Sequence, residues 1–194
     1  MNQIQDIAND FKADLGLPTD YNTPELERLT KGESKYIKDL RLNFKKILKE
    51  KELNAKEIAL LGVALAANAE NKVLGDYFEK AAQEVEASEA EIAEAVACAS
   101  LLANNNVFYR FRHFMGKEKY ETIPAGIRMN IMMKPVTGKT FFELASLAVS
   151  AVNGCERCVV SHENSLLKMG ESEEKVFEAV RFASIFTSVT KVIY

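Results

Sequence analysis

The chain repeats itself. AEIAEAVACAS at 90–100 aligns with EKVFEAVRFAS at 174–184, sharing Glu94/Glu178, Ala95/Ala179, Val96/Val180, Ala99/Ala183 and Ser100/Ser184 at a lag of 84 residues. Upstream, the pattern opening at Glu57 aligns with the one opening at Glu143 at a lag of 86, which sets Cys155, Cys158 and His162 opposite Ala69, Lys72 and Asp76. Two copies of a helical unit can bury their apolar faces against each other in one shared core. The expectation is a single domain over 35–194, with copies at about 57–104 and 143–188 and an N-terminal extension at 1–34.

Both copies read as helix. Apolar residues recur at helical spacing in Ala55 to Glu70, Val73 to Glu86 and Glu89 to Asn104, and again in Thr140 to Val152, Cys155 to Met169 and Ser172 to about Lys191. Ser88 with Glu91 forms a capping-box pattern, Gly170 stops one helix and Ser172 caps the next. A further helix opens near Tyr36 on Ile37, Leu40, Phe44, Ile47 and Leu48, and its lysines read as a solvated face. Residues 1–34 are weakly patterned, apart from a turn at Pro18-Thr19-Asp20 and an N-cap offered by Asn22-Thr23-Pro24-Glu25, with Pro near the first helical position. No segment alternates as a strand does, so the fold class is all-α.

A formal net charge of −3 provides no basic field for nucleic acid or an anionic membrane. The longest apolar run, Ile58 to Ala67, is about half a membrane span. The acidic N-terminus lacks the apolar core of a signal peptide, so the expected location is cytoplasmic. There, three cysteines do not make a disulfide scaffold, and a close pair points to catalysis or metal. GKT at 138–140 is not a phosphate loop, because Met133 stands where that loop needs Gly. Cys98, among alanines, reads as a small core residue, and His113 as a satisfied structural histidine.

The remaining chemistry lies in NGCERCVVSH, residues 153–162. Haem attachment fails, since Val159 follows Cys158 where histidine is required. Zinc stays open: Cys155, Cys158, His162 and a carboxylate would make four ligands, although such cysteines usually sit on a turn with the other ligands elsewhere. A redox pair explains more. Asn153-Gly154 breaks one helix and starts the next, so both thiols fall in a first turn, where free amide N–H groups favour thiolate. His162 is one turn beyond Cys158, and cysteines at i, i+3 can reach disulfide geometry. Glu143 would lie about 18 Å from Cys155 along one continuous helix. If the break folds the helices into a hairpin, Glu143 comes level with His162.

Glu, eleven residues, then Cys-x-x-Cys-x-x-x-His resembles the active-site pattern of the alkyl hydroperoxidase D family, in the carboxymuconolactone decarboxylase-like superfamily. KYIKDLRLN (35–43), NNVFYRFRH (105–113), GIRMNI (126–131) and FELASLAVSAVNGCERCVVSHENSL (142–166) carry the same resemblance, which covers roughly 35–190. It implies a duplicated all-helical fold, a homotrimer, and a peroxidase of organic hydroperoxides. That enzyme would draw electrons from a dihydrolipoyl-type dithiol and pass them to a partner peroxiredoxin, with no bound cofactor or metal. Carried over, Cys158 attacks the peroxide, Cys155 resolves, and His162 with Glu143 deprotonates Cys158. The helix terminus by itself favours Cys155 as the more acidic thiol; His162 is what could reverse that order. Relatives carry His directly before the second cysteine, where this chain has Arg157, which cannot shuttle protons at neutral pH. The alternatives are a disulfide reductase without peroxide chemistry, a zinc-bound module, and the superfamily's decarboxylase chemistry.

Overall fold

The computed structural model describes residues 3–194 and is all-helical, with no strand among them. The helices are α1 (Gln3–Asp14), α2 (Pro24–Lys31), α3 (Tyr36–Ile47), α4 (Ala55–Asn68), α5 (Lys72–Glu84), α6 (Glu89–Met115), α7 (Glu118–Thr122), α8 (Lys139–Val152), α9 (Glu156–Lys168) and α10 (Glu173–Val189). Helices α4 and α8 are the two inner elements. Every residue of α4 from Ile58 to Ala66 is buried, and so is every residue of α8 from Phe141 to Ser150 except Glu143. A helix apolar on all sides has to be covered all round. Helix α4 packs on α5, α6 and α8, while α8 packs on α9, α10 and α6.

Phe78 on α5 is fully buried, edge-on to Phe44 and Phe182 and tilted against Phe186. Each such ring contributes about 1.5–3 kcal/mol by leaving water. Its seat depends on Gly62 of α4, where an added Cβ would stand 2.1 Å from the ring.

The two copies correspond throughout at a lag of 84. Helices α4 and α8 end 84 residues apart, as do the starts of α5 and α9 and of α6 and α10. Ser88 and Ser172 both cap, and the left-handed residues Glu70 and Glu86 recur as Gly154 and Gly170. The lag of 86 is therefore corrected. Glu57 closes the capping box that opens α4, whereas Glu143 lies in the interior of α8, so their likeness is not positional. Cys155, Cys158 and His162 stand opposite Asn71, Leu74 and Phe78; where the first copy fills its core, the second holds its reactive groups.

The shared Glu94/Glu178 pair also has a structural reason. Glu94 accepts the amides of Val136 and Thr137, each at 2.7 Å, and the Thr137 hydroxyl, holding the approach to α8. Glu178 accepts the Glu52 amide at 2.7 Å, holding the approach to α4. Each copy thus clamps the segment that leads into the other.

Two elements differ from expectation. Residues 3–14 form α1, which packs on α3 and contributes Ala8 and Phe11 to the same core. Helix α6 does not stop at Asn104 but runs to Met115, ending at left-handed Gly116. Asn105 and Asn106 are buried there because tertiary partners satisfy their amides: Met129 Sδ at 3.2 Å and Ser150 Oγ at 2.9 Å.

Candidate active site

The break between α8 and α9 is pinned from several sides. Asn153 caps α8, and its side-chain amide donates to Asn68 at 3.1 Å and to Asn106 at 2.9 Å. Arg110 donates to the Asn153 carbonyl at 2.6 Å. Gly154 takes the left-handed conformation, φ 69°, and Cys155 N bonds back to Ser150 O. The chain re-enters helix with Cys155 at the N-cap and Cys158 in the first turn.

Cys155 and Cys158 form a disulfide, their Cα atoms 5.3 Å apart. Cys155 is sealed from solvent, at 0% exposure. Cys158 instead lines a cleft of about 320 Å³, together with His162, Ser161 and Arg157 of α9. Leu102, Asn105 and Tyr109 of α6 form another wall, and Met129 and Met132 close it from the loop before α8. A larger cavity of about 580 Å³ beside α1 and α5 has no cysteine or histidine in its lining.

His162 is buried, with Nδ1 2.6 Å from Glu143 Oε2. The hairpin expected from Asn153-Gly154 brings these two side chains together. With Nδ1 engaged by the carboxylate, Nε2 is the nitrogen left for the cleft. Among the described residues, no group of three or more His, Cys, Asp or Glu side chains converges as a metal cage.

Arg157 lines the same cleft as His162 but takes its carboxylate partner from α7. Its Nη1 donates to Glu121 Oε1 of α7 at 2.6 Å, and its guanidinium lies 6.0 Å from the Tyr109 ring centre. His113, expected to be a satisfied structural histidine, is on the surface instead, Nε2 3.5 Å from Glu156 at the start of α9. Cys98 is buried as expected, its Sγ 3.6 Å from Ser146 Oγ. Asn105, Tyr109, Met129 and Met132 were not anticipated as lining residues. Two signals bore on them: Leu102, Asn105 and Tyr109 share one helical face, and the stretches 105–113 and 126–131 that carry the family resemblance contain Asn105, Tyr109 and Met129.

Fold and site define an all-helical protein built around a Cys-x-x-Cys dithiol pair. Residues 123–193 match the carboxymuconolactone decarboxylase family. The alkyl hydroperoxide reductase AhpD of Anaeromyxobacter sp. is 45% identical over 149 residues, covering 76% of this chain and 79% of that protein. The namesakes from Solibacter usitatus and Coxiella burnetii are 40% and 38% identical, over 87% and 81% of this chain and 95% and 90% of their own lengths. The chain belongs to the AhpD family.

Proposed function

We propose that this protein is an alkyl hydroperoxide reductase in which Cys158 is the attacking thiol and Cys155 the resolving one. The observation that carries the assignment is the placement of Cys158: it shares a cleft with His162, whose other face is held by Glu143, while Cys155 is sealed behind it. His162 takes the Cys158 thiol proton, and the Glu143 carboxylate stabilises the imidazolium that results. The thiolate attacks the peroxide O–O bond, giving a sulfenic acid and an alkoxide that receives the proton from His162 and leaves as the alcohol. The Cys155 thiol then condenses with the sulfenic acid, releasing water and forming the 155–158 disulfide. A dithiol returns the pair to thiols by exchange and is itself oxidised to a disulfide.

The names of the relatives support the hydroperoxide as substrate. For the reductant we propose a dihydrolipoyl-type dithiol, for the electron acceptor a partner peroxiredoxin, and for the assembly a homotrimer working in the cytoplasm. Among the described residues no helix is long and apolar enough to cross a membrane. The test is peroxide consumption driven by dihydrolipoamide, with mass spectrometry of the 155–158 pair. Cys158→Ser should abolish consumption, and Cys155→Ser should leave a sulfenate trappable by dimedone at Cys158. A sulfenate trapped at Cys155 in Cys158→Ser would reverse the roles. Reduction of a disulfide substrate without consumption of tert-butyl hydroperoxide would make the protein a carrier instead.

A further inference from the structure

The cleft beside Cys158 has an uneven chemistry. Leu102, Met129, Met132 and the Tyr109 ring make its apolar part, and Arg157 is its one permanently charged lining residue. The Arg157 side chain stands at the mouth, 42% exposed, with Glu121 as its partner at 37%. The hydrogen bond from Arg157 holds the Glu121 carboxyl below its ordinary value, and the Arg112 guanidinium adds to this. A guanidinium carries five N–H donors in a planar fork, and a single carboxylate contact leaves donors for a second anion. The bond to Glu121 is solvent-exposed, so a ligand carboxylate can exchange with it at little cost.

We propose that Arg157 is a specificity-determining residue that selects hydroperoxides carrying a carboxylate on an apolar body. The apolar walls take the body and the guanidinium takes the carboxylate. The size of the cleft, about 320 Å³, is at the small end of ligand pockets and fits a medium-length chain. This assignment rests on the peroxidase reading of the same cleft. Glu121 is its internal competitor, so removing the Glu121 charge should strengthen the preference and removing Arg157 should abolish it.

The full chain in its disulfide form does not turn over, so binding can be read apart from catalysis. Titrated with octanoate and with 1-octanol, the native protein should bind the carboxylate about fivefold more tightly. Arg157→Gln should erase that preference and Glu121→Gln should enlarge it. Equal binding of the two ligands, or a preference that survives Arg157→Gln, overturns the proposal. In turnover with dihydrolipoamide, the kcat/KM ratio of a hydroperoxy fatty acid to tert-butyl hydroperoxide should fall about fivefold in Arg157→Gln. A native protein that consumes tert-butyl hydroperoxide with an unchanged ratio in Arg157→Gln overturns the selection and leaves the peroxidase reading standing. A native protein that consumes neither hydroperoxide overturns the peroxidase reading and the selection with it, while the octanoate titration still reports whether Arg157 binds a carboxylate. An Arg157 dependence seen only when dihydrolipoate replaces dihydrolipoamide assigns the anion site to the reductant and likewise overturns selection of the hydroperoxide.

Discussion

Glu143 Oε2 lies 2.6 Å from His162 Nδ1, although 19 residues separate them in the chain. Glu143 is the one residue of α8 between Phe141 and Ser150 that is not fully buried, and its partner is an imidazole on the helix that folds back over it. A carboxylate in so apolar a helix would be costly without that partner. Replacing it with an amide keeps size and hydrogen-bonding capacity but removes the charge that stabilises an imidazolium. Glu143→Gln should therefore keep the fold and lower peroxide consumption about a hundredfold. Single-turnover formation of the Cys158 sulfenate measures this directly, and a rate within twofold of native would exclude the pair from proton transfer.

Much of this arrangement was legible in the sequence, for physical reasons. Asn153-Gly154 is a strong break, so the return of α9 toward Glu143 followed from helix geometry. The duplicated Glu94 and Glu178 were visible as a repeat, but not as clamps, because hydrogen bonds to distant backbone amides leave no local trace. The upstream register was misplaced by two residues because a capping glutamate and an interior one look alike. Helix α1 was not expected, although Ile4, Ile7, Ala8 and Phe11 share one helical face and its aspartates lie off that face; so short a stripe marks a core element only once α3 packs on it. Asn105 and Tyr109 were hidden because polar residues on a helix read as solvated until the loop carrying Met129 covers them.

In Glu94→Ala the amides of Val136 and Thr137 lose their acceptor in a partly buried place. The expected cost is about 1–3 kcal/mol in urea unfolding. Because this loop carries the residues leading into α8, amide exchange should quicken first at 136 and 137. Glu178→Ala should act in the same way at Glu52. Exchange that rises uniformly over the chain, with no local excess at these amides, would refute the clamp.

Cys98 is a third thiol, and its chemistry should be silent. Burial pushes its pKa from 9.0 up to about 12, with the Ser146 hydrogen bond offsetting part of the rise. The reactive species is the thiolate, which is nearly absent at neutral pH for such a group. After reduction, iodoacetamide at pH near 8 should label Cys158 in the native protein and reach Cys98 only after unfolding. Comparable labelling of Cys98 and Cys158 without denaturant would contradict this.

The docking of α1 should carry an acid-sensitive component. Arg41 on α3 holds two carboxylates of α1, Asp14 at 2.6 Å and Asp10 at 2.7 Å. Burial raises the Asp14 carboxyl, but the hydrogen bond and charge of Arg41, with help from Lys45, outweigh it and leave the group below its ordinary 3.8. A carboxyl depressed in the folded state stabilises above its unfolded value and loses that contribution as pH falls through the folded one. The gain should thus be constant at neutral pH and fade below about pH 4. Asp14→Asn should cost about 1 kcal/mol at pH 7, since the pair is only partly screened by solvent. Native and variant stabilities should then converge as acid protonates Asp14, and a gap that stays constant down to pH near 2 would show that the ion pair does not hold α1 in place.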